Sequence, residues 1–89
     1  MYLEKKITNM VDSNYIWSYF FPMKKGFLDD DYFFYEDGRI LHSYDKTQLK
    51  LNIEEFVSAE SIPIEKRMTM LKKCPAEIFD EIKSLLKLP

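Results

Sequence analysis

The chain has 89 residues, of which 46% are hydrophobic and 16% aromatic, and 15 acidic and 13 basic side chains give a formal charge of −2. This length predicts one domain, residues 1–89, and this hydrophobic content excludes a disordered chain. The nearly balanced charge argues against a protein that binds nucleic acid through a broad basic surface.

Other features of the sequence predict a cytoplasmic protein without membrane association. Cys74 is the single cysteine, so no intramolecular disulfide can form, which is typical of a reducing compartment. No apolar run reaches the length of about 20 residues that a bilayer requires. The first residues also lack the long apolar core of a signal peptide.

The first 21 residues predict a helix followed by a strand. Residues 2–11 place apolar side chains at helical spacing, and residues 12–14 form a turn cluster. Residues 15–21 are aromatic and β-branched and end at Pro22, which favours a strand. A helix that continues through Phe20 is the alternative, because short apolar runs fit both structures.

The clearest local signal is Asp37-Gly38 between two aromatic and β-branched runs, residues 32–36 and 39–44. Such a pair is typical of a two-residue type I′ hairpin turn, in which both central residues have φ above zero. The pairs predicted from this turn are Glu36–Arg39, Tyr35–Ile40, Phe34–Leu41, Phe33–His42 and Tyr32–Ser43.

Both faces of this hairpin carry large apolar groups, whereas a sheet with one wet face alternates apolar and polar residues. We therefore expect either cover on both faces or an aromatic face kept for a partner. We predict that part of Tyr32, Tyr35 or Tyr44 is exposed, beside residues 29–31.

The remaining elements follow from apolar spacing and from prolines. Residues 49–53 alternate as in a half-exposed strand, and residues 52–57 match a capping pattern that could start one helical turn. Pro63 opens a helix that ends before Pro75, and Pro75 opens a second one. The apolar stripe predicted for the first of these helices is Ile64, Met68 and Leu71, and the second turns Ile78, Ile82, Leu85 and Leu86 inward, with Phe79 beside them.

The predicted fold class is therefore α+β. A small antiparallel sheet of three or four strands has the hairpin 32–44 at its centre. An N-terminal helix and a C-terminal helix pair pack on this sheet.

The densest charged feature is the run Asp29-Asp30-Asp31. Its spacing does not match a calcium loop, and adjacent strand residues point to opposite faces, so we predict no metal site. The run is read either as a solvated loop or as an acidic surface for a basic partner. The predicted partner-binding residues are Asp29, Asp30, Asp31, Tyr32, Tyr35, Glu36, Asp37 and Tyr44.

Catalysis is not predicted. His42 is the single histidine, its sequence neighbours include Ser43 and Tyr44, and Ser43 points to the other face of the strand. Cys74 precedes a helix start, which can activate a thiol, but a buried structural cysteine is the commoner case. No catalytic residue, cofactor or metal is therefore assigned.

These features favour a small protein-binding module that inhibits or assists a larger protein or a nucleoprotein complex. In size and composition the chain is comparable to anti-CRISPR-like inhibitors of bacterial defence nucleases, and an immunity protein or antitoxin is an alternative. A second alternative is an RNA- or DNA-binding module that uses Lys24, Lys25, Arg39 and sheet aromatics.

Overall fold

The computed structural model describes residues 14–21, 30–45 and 53–89. These residues form a four-stranded antiparallel sheet in the order β1-β2-β3-β4, followed by two helices, which confirms the α+β class. The predicted N-terminal helix over residues 2–11 lies outside the described residues. The elements are β1 (Tyr15–Phe20), β2 (Asp30–Tyr35), β3 (Ile40–Tyr44), β4 (Ile53–Val57), α1 (Ile64–Lys73) and α2 (Phe79–Leu85), with single 3₁₀ turns at Ala59–Ser61 and Ala76–Ile78.

The predicted hairpin joins β2 to β3, but its register differs by one residue from the predicted one. Tyr35 N–H donates to the carbonyl of Arg39 at 3.0 Å, and Gly38 N–H donates to the carbonyl of Tyr35 at 3.0 Å. The loop therefore has three residues, and within it Gly38 alone has a positive φ, of 96°. A type I turn closed by a glycine bulge has this form, and it replaces the predicted type I′ turn.

The shift changes which side chains share a face. Phe34 pairs with Ile40 and Tyr32 with His42, instead of the predicted Phe34–Leu41 and Tyr32–Ser43 pairs. Side chains alternate along a strand, so a shift of one residue changes which side chains of β3 share a face with a given side chain of β2. The first face of β2 and β3 consequently carries Asp30, Tyr32, Phe34, Ile40, His42 and Tyr44, and the second carries Asp31, Phe33, Tyr35, Leu41 and Ser43.

The two outer strands confirm one prediction and correct another. β1 is a strand, as favoured for residues 15–21, so the alternative helix through Phe20 is wrong. The helical turn considered for residues 52–57 is also wrong, because Ile53–Val57 pairs along its length with β3. Five residues of ladder pairing outweigh a weak capping pattern. The predicted strand over residues 49–53 overlaps β4 only at Ile53, and residues 46–52 lie outside the described part.

Both faces of the central hairpin are buried, which confirms the expectation that the sheet is covered on two sides. On the first face, Tyr32, Phe34 and Ile40 join a cluster with Met70, Ile82 and Leu86 of the C-terminal segment. On the second face, Phe33, Tyr35 and Leu41 form a separate cluster. The sheet therefore carries a buried apolar cluster on each face.

The helix pair confirms the predicted boundaries of α1 but corrects its predicted core face, and the helix predicted from Pro75 starts as a 3₁₀ turn and becomes α-helical at Phe79. The buried residue of α1 is Met70, whereas Ile64 is 44% and Met68 59% exposed. Lys66 and Arg67, predicted to face outward, are half-buried. Their long apolar stems can cover the core while the charged ends bind elsewhere, so the packed face lies to one side of the apolar stripe and shares Leu71 with it. In α2, Ile82 is buried as predicted, and the following Leu86 is too.

Neither helix in the described part of the chain has the length and apolar character needed to cross a bilayer.

Candidate functional site

The structure divides the eight predicted partner-binding residues between interior and surface. Tyr32 and Tyr35 are buried, and Tyr44 is half-buried, so of these three rings only Tyr44 has appreciable exposure. Asp30 and Asp31 are half-buried, and Asp29 lies outside the described residues. Glu36 and Asp37, in the hairpin loop, are exposed.

Asp30 is the centre of a charged cluster that joins three elements. Its Oδ1 lies 2.6 Å from Nε2 of His42 on β3, and Lys66 of α1 donates to its Oδ2. Burial opposes ionisation of Asp30, but the hydrogen bonds and charges of His42 and Lys66 outweigh it and lower the pKa of this carboxyl. The acidic residue thus links the sheet to α1 and does not present a free acidic surface.

The imidazole of His42 lies between two tyrosine rings. Its centroid is 4.3 Å from that of Tyr32, with parallel planes, and 4.3 Å from that of Tyr44, with planes 17° apart. Burial, followed by the charge of Asp30, raises the pKa of the Tyr32 hydroxyl far above its ordinary value. The hydroxyl of Tyr44 donates to Oε2 of Glu55 at 3.1 Å. The stack therefore immobilises His42 and holds Tyr32 as a neutral phenol.

A cavity of about 310 Å³ adjoins this cluster and is lined by His42, Lys66 and Ser61, among others. The Ser61 hydroxyl donates to the carbonyl of Ser58 at 2.7 Å, and Lys66 binds Asp30. These polar groups are thus engaged in the fold. No group of three or more metal-ligating side chains occurs in residues 14–21, 30–45 and 53–89.

Cys74 lies in the connection between α1 and α2. Its thiol is half-buried and donates to the carbonyl of Leu71 at 3.3 Å. Burial raises the pKa of this thiol, which disfavours the nucleophilic thiolate.

The tip of the hairpin carries an exposed arginine in a defined position. Nε of Arg39 donates to Oδ2 of Asp37 at 2.7 Å, and the backbone N–H of Arg39 donates to Oδ1 of Asp37 at 3.1 Å. The guanidinium carbon lies 4.9 Å from the ring centroids of both Tyr35 and Phe56. The backbone N–H and then the guanidinium of Arg39 lower the pKa of Asp37. Three contacts therefore orient a side chain that is still 49% exposed.

Two exposed aromatic rings contact Tyr35, the buried ring beneath this arginine. Phe56 of β4 is 41% exposed and Tyr15 of β1 38% exposed, and both rings contact Tyr35 edge to face. A cleft of about 470 Å³ opens beside them, lined in part by Glu36 and Arg39. We call Tyr15, Glu36, Asp37, Arg39 and Phe56 the hairpin-end surface.

The structure shows contacts that sequence reasoning missed. Asp30 and Lys66 are 36 positions apart, and no local motif connects them. The contact of Phe56 with Arg39 depends on β4, which was predicted over different residues. The alternative nucleic-acid set is not brought together here, since Lys24 and Lys25 lie outside the described residues and Arg39 lies beside Glu36 and Asp37.

No protein-family model matches the chain. No curated protein and no solved structure matches it either. The proposals below therefore depend on the residues of this chain alone.

Proposed function

We propose that the protein is a non-catalytic cytoplasmic binding module that docks on a larger protein through the hairpin-end surface. The observation that carries this proposal is Arg39, which is half-exposed although one carboxylate and two aromatic rings hold it in place. An arginine ordered before binding loses little side-chain entropy when a partner covers it. Arginine and aromatic residues also dominate the binding energy of most protein interfaces.

The charges around Arg39 indicate what a partner would present. Glu36 and Asp37 are exposed next to it, so basic groups on the partner would complement the rim of the surface. The partner would place a carboxylate or a carbonyl against the free edge of the Arg39 guanidinium. The exposed parts of Phe56 and Tyr15 would supply the apolar contact.

Binding of this kind would act by occupying the partner's surface. The function proposed is accordingly that of an inhibitor or accessory factor, for example an anti-CRISPR-like inhibitor of a defence nuclease. An immunity protein or an antitoxin would use the same kind of surface, and identification of the partner would separate these roles.

The proposal can be tested by site-specific photocrosslinking in cells. A photoreactive phenylalanine analogue at Phe56 should form an adduct with one other protein. The same analogue at Glu81, which is exposed on α2, is the control and should not form that adduct. Arg39→Ala in the Phe56-labelled chain should reduce the adduct by at least about 10-fold, because loss of a central arginine costs about 2 kcal/mol or more.

Two results would contradict this function. An adduct that is unaffected by Arg39→Ala would show that the hairpin-end surface does not bind the partner. An adduct that nuclease treatment removes, together with salt-sensitive binding to single-stranded oligonucleotides, would favour the nucleic-acid alternative.

A further inference from the structure

Another exposed apolar region in the described part of the chain is a groove between α1 and the residues that follow it. Its apolar lining includes Ile64, Met68 and Leu71 of α1, together with Phe79 and Leu88, and its volume is about 460 Å³. Lys72 is the charged residue in the lining. This groove is independent of the hairpin-end surface and of the function proposed above.

The apolar residues of α1 in this groove follow the spacing of a helix-packing seam. Ile64, Met68 and Leu71 lie at positions i, i+4 and i+7, which share one side of a helix. The fold packs α1 through Met70 instead, on a different side. Leu71 packs partly against the core, whereas Ile64 and Met68 are exposed, so the core covers this seam only in part.

The charges beside the seam determine which occupant fits it. Glu65 and Lys72 are exposed, and seven residues return a helix to nearly the same side, so both lie along one edge of the seam. Neither forms an ion pair with another residue in the described part of the chain. The edge is thus negative near the start of α1 and positive near its end.

A second copy of α1 running antiparallel complements this pattern. Positions 65 and 72 are symmetric about the point between Met68 and Thr69. A two-fold axis at that point would place each Glu65 opposite Lys72 of the other copy and would bring the two Met68 side chains together. A parallel two-fold arrangement would instead place the charged edges of the two copies on opposite sides of the contact, so that Glu65 and Lys72 would not pair across it. Self-complementarity about a two-fold axis is the property of an isologous dimer interface.

We propose that the groove is the interface of a homodimer, in which the α1 helices of two copies pack antiparallel near Met68. A helix of ten residues is about 15 Å long, so the contact falls at the small end of protein interfaces. The dimer should therefore be weak, with a dissociation constant of about 10–500 µM.

The first test is sedimentation velocity on the full chain over concentrations up to about 1 mM, twice the upper limit expected for the dissociation constant. The wild-type mass should rise from monomer towards dimer across this range. Met68→Lys should weaken association at least about 10-fold, because it places two ammonium groups at the axis. Met and Lys have similar helix propensities, and Met68 is exposed, so circular dichroism should show an unchanged fold.

A mixing experiment then tests the antiparallel charge pairing. Glu65→Lys alone and Lys72→Glu alone should each be monomeric where the wild type dimerises, because each opposes like charges in its own dimer. An equimolar mixture of the two variants should form a heterodimer, since every pair across the axis is again of opposite sign. Glu81→Lys, which changes a charge on α2, should dimerise as the wild type does.

Three outcomes would overturn the proposal. If the wild-type chain remains monomeric at about 1 mM, the groove does not bind a second copy, and its occupant would be a different protein. A dimer that withstands Met68→Lys would use another surface. A mixture of Glu65→Lys and Lys72→Glu that remains monomeric, with both variants folded, would exclude the antiparallel pairing.

Discussion

At the scale of single residues, Asp30 shows how a side chain in an acidic run acquires a structural role. Its carboxylate binds His42 from the neighbouring strand and Lys66 from α1. These contacts lower its pKa from the ordinary value of 3.8. A group whose folded pKa lies below its unfolded pKa stabilises the fold above the unfolded value, and this stabilisation is lost as the pH falls through the folded pKa.

We therefore expect Asp30→Asn to lower the free energy of unfolding by about 1–2 kcal/mol at about pH 5, because Asn retains the shape of the side chain and removes its charge. The difference between the variant and the wild type should be smaller at about pH 3, because it is lost as the pH falls from the ordinary value of 3.8 through the lower folded pKa. Urea unfolding at the two pH values measures both quantities. An equal deficit at both values would mean that the charge of Asp30 contributes nothing.

At the scale of elements, the hairpin illustrates what a local pattern determines. Asp37-Gly38 located the turn correctly, because few residues accept the backbone that such a turn requires. The same dipeptide fits a two-residue loop and a three-residue loop with a glycine bulge. The choice between them depends on which register buries Tyr32, Phe34 and Ile40 against the helices, which is a tertiary property.

The core face of α1 was mispredicted for a related reason. Periodicity identifies an apolar stripe, here Ile64, Met68 and Leu71, but does not say what the stripe contacts. Arg67 donates from Nε to the carbonyl of Ile62 and from Nη1 to that of Leu86, which orients α1 with Met70 inward. Arg39 of the hairpin-end surface was likewise named from the sequence only as a basic residue. Its contacts with Tyr35 and Phe56 could not be predicted, because they form only in the folded sheet.

The hairpin turn can be tested at its glycine. Gly38→Ala should destabilise the protein by about 1–2 kcal/mol, because alanine is strained at a φ of 96°. Space is not the cause, since the nearest atom to a new Cβ would be Cδ2 of Leu85 at 3.9 Å. Gly38→Asn is the matched comparison and should cost less, because asparagine tolerates positive φ better than other residues. Thermal denaturation ranks the stabilities of the two variants and the wild type. Equal losses of stability in the two variants would argue against backbone strain.

At the scale of the whole molecule, the sheet contributes residues to two apolar clusters, one on each of its faces. The first-face cluster includes Leu86, and the second-face cluster includes Leu41, and both side chains are fully buried. A chain of 89 residues has a stability of about 4–13 kcal/mol, so loss of either cluster would remove a large share of it. Two-sided burial also explains why the aromatic content of the hairpin produces little exposed tyrosine surface.

Leu41→Ala and Leu86→Ala therefore form a matched pair that compares the two faces. Each deletes the same atoms from a fully buried site, so each should lower the free energy of unfolding by about 2–5 kcal/mol. Phe56→Ala removes a larger side chain that is 41% exposed, and it should cost less than either. Urea denaturation of the three variants gives the order directly. If Leu41→Ala cost less than Phe56→Ala, the second face would be solvated, and the aromatic rings around Arg39 would lack the rigid support that the proposed binding surface requires.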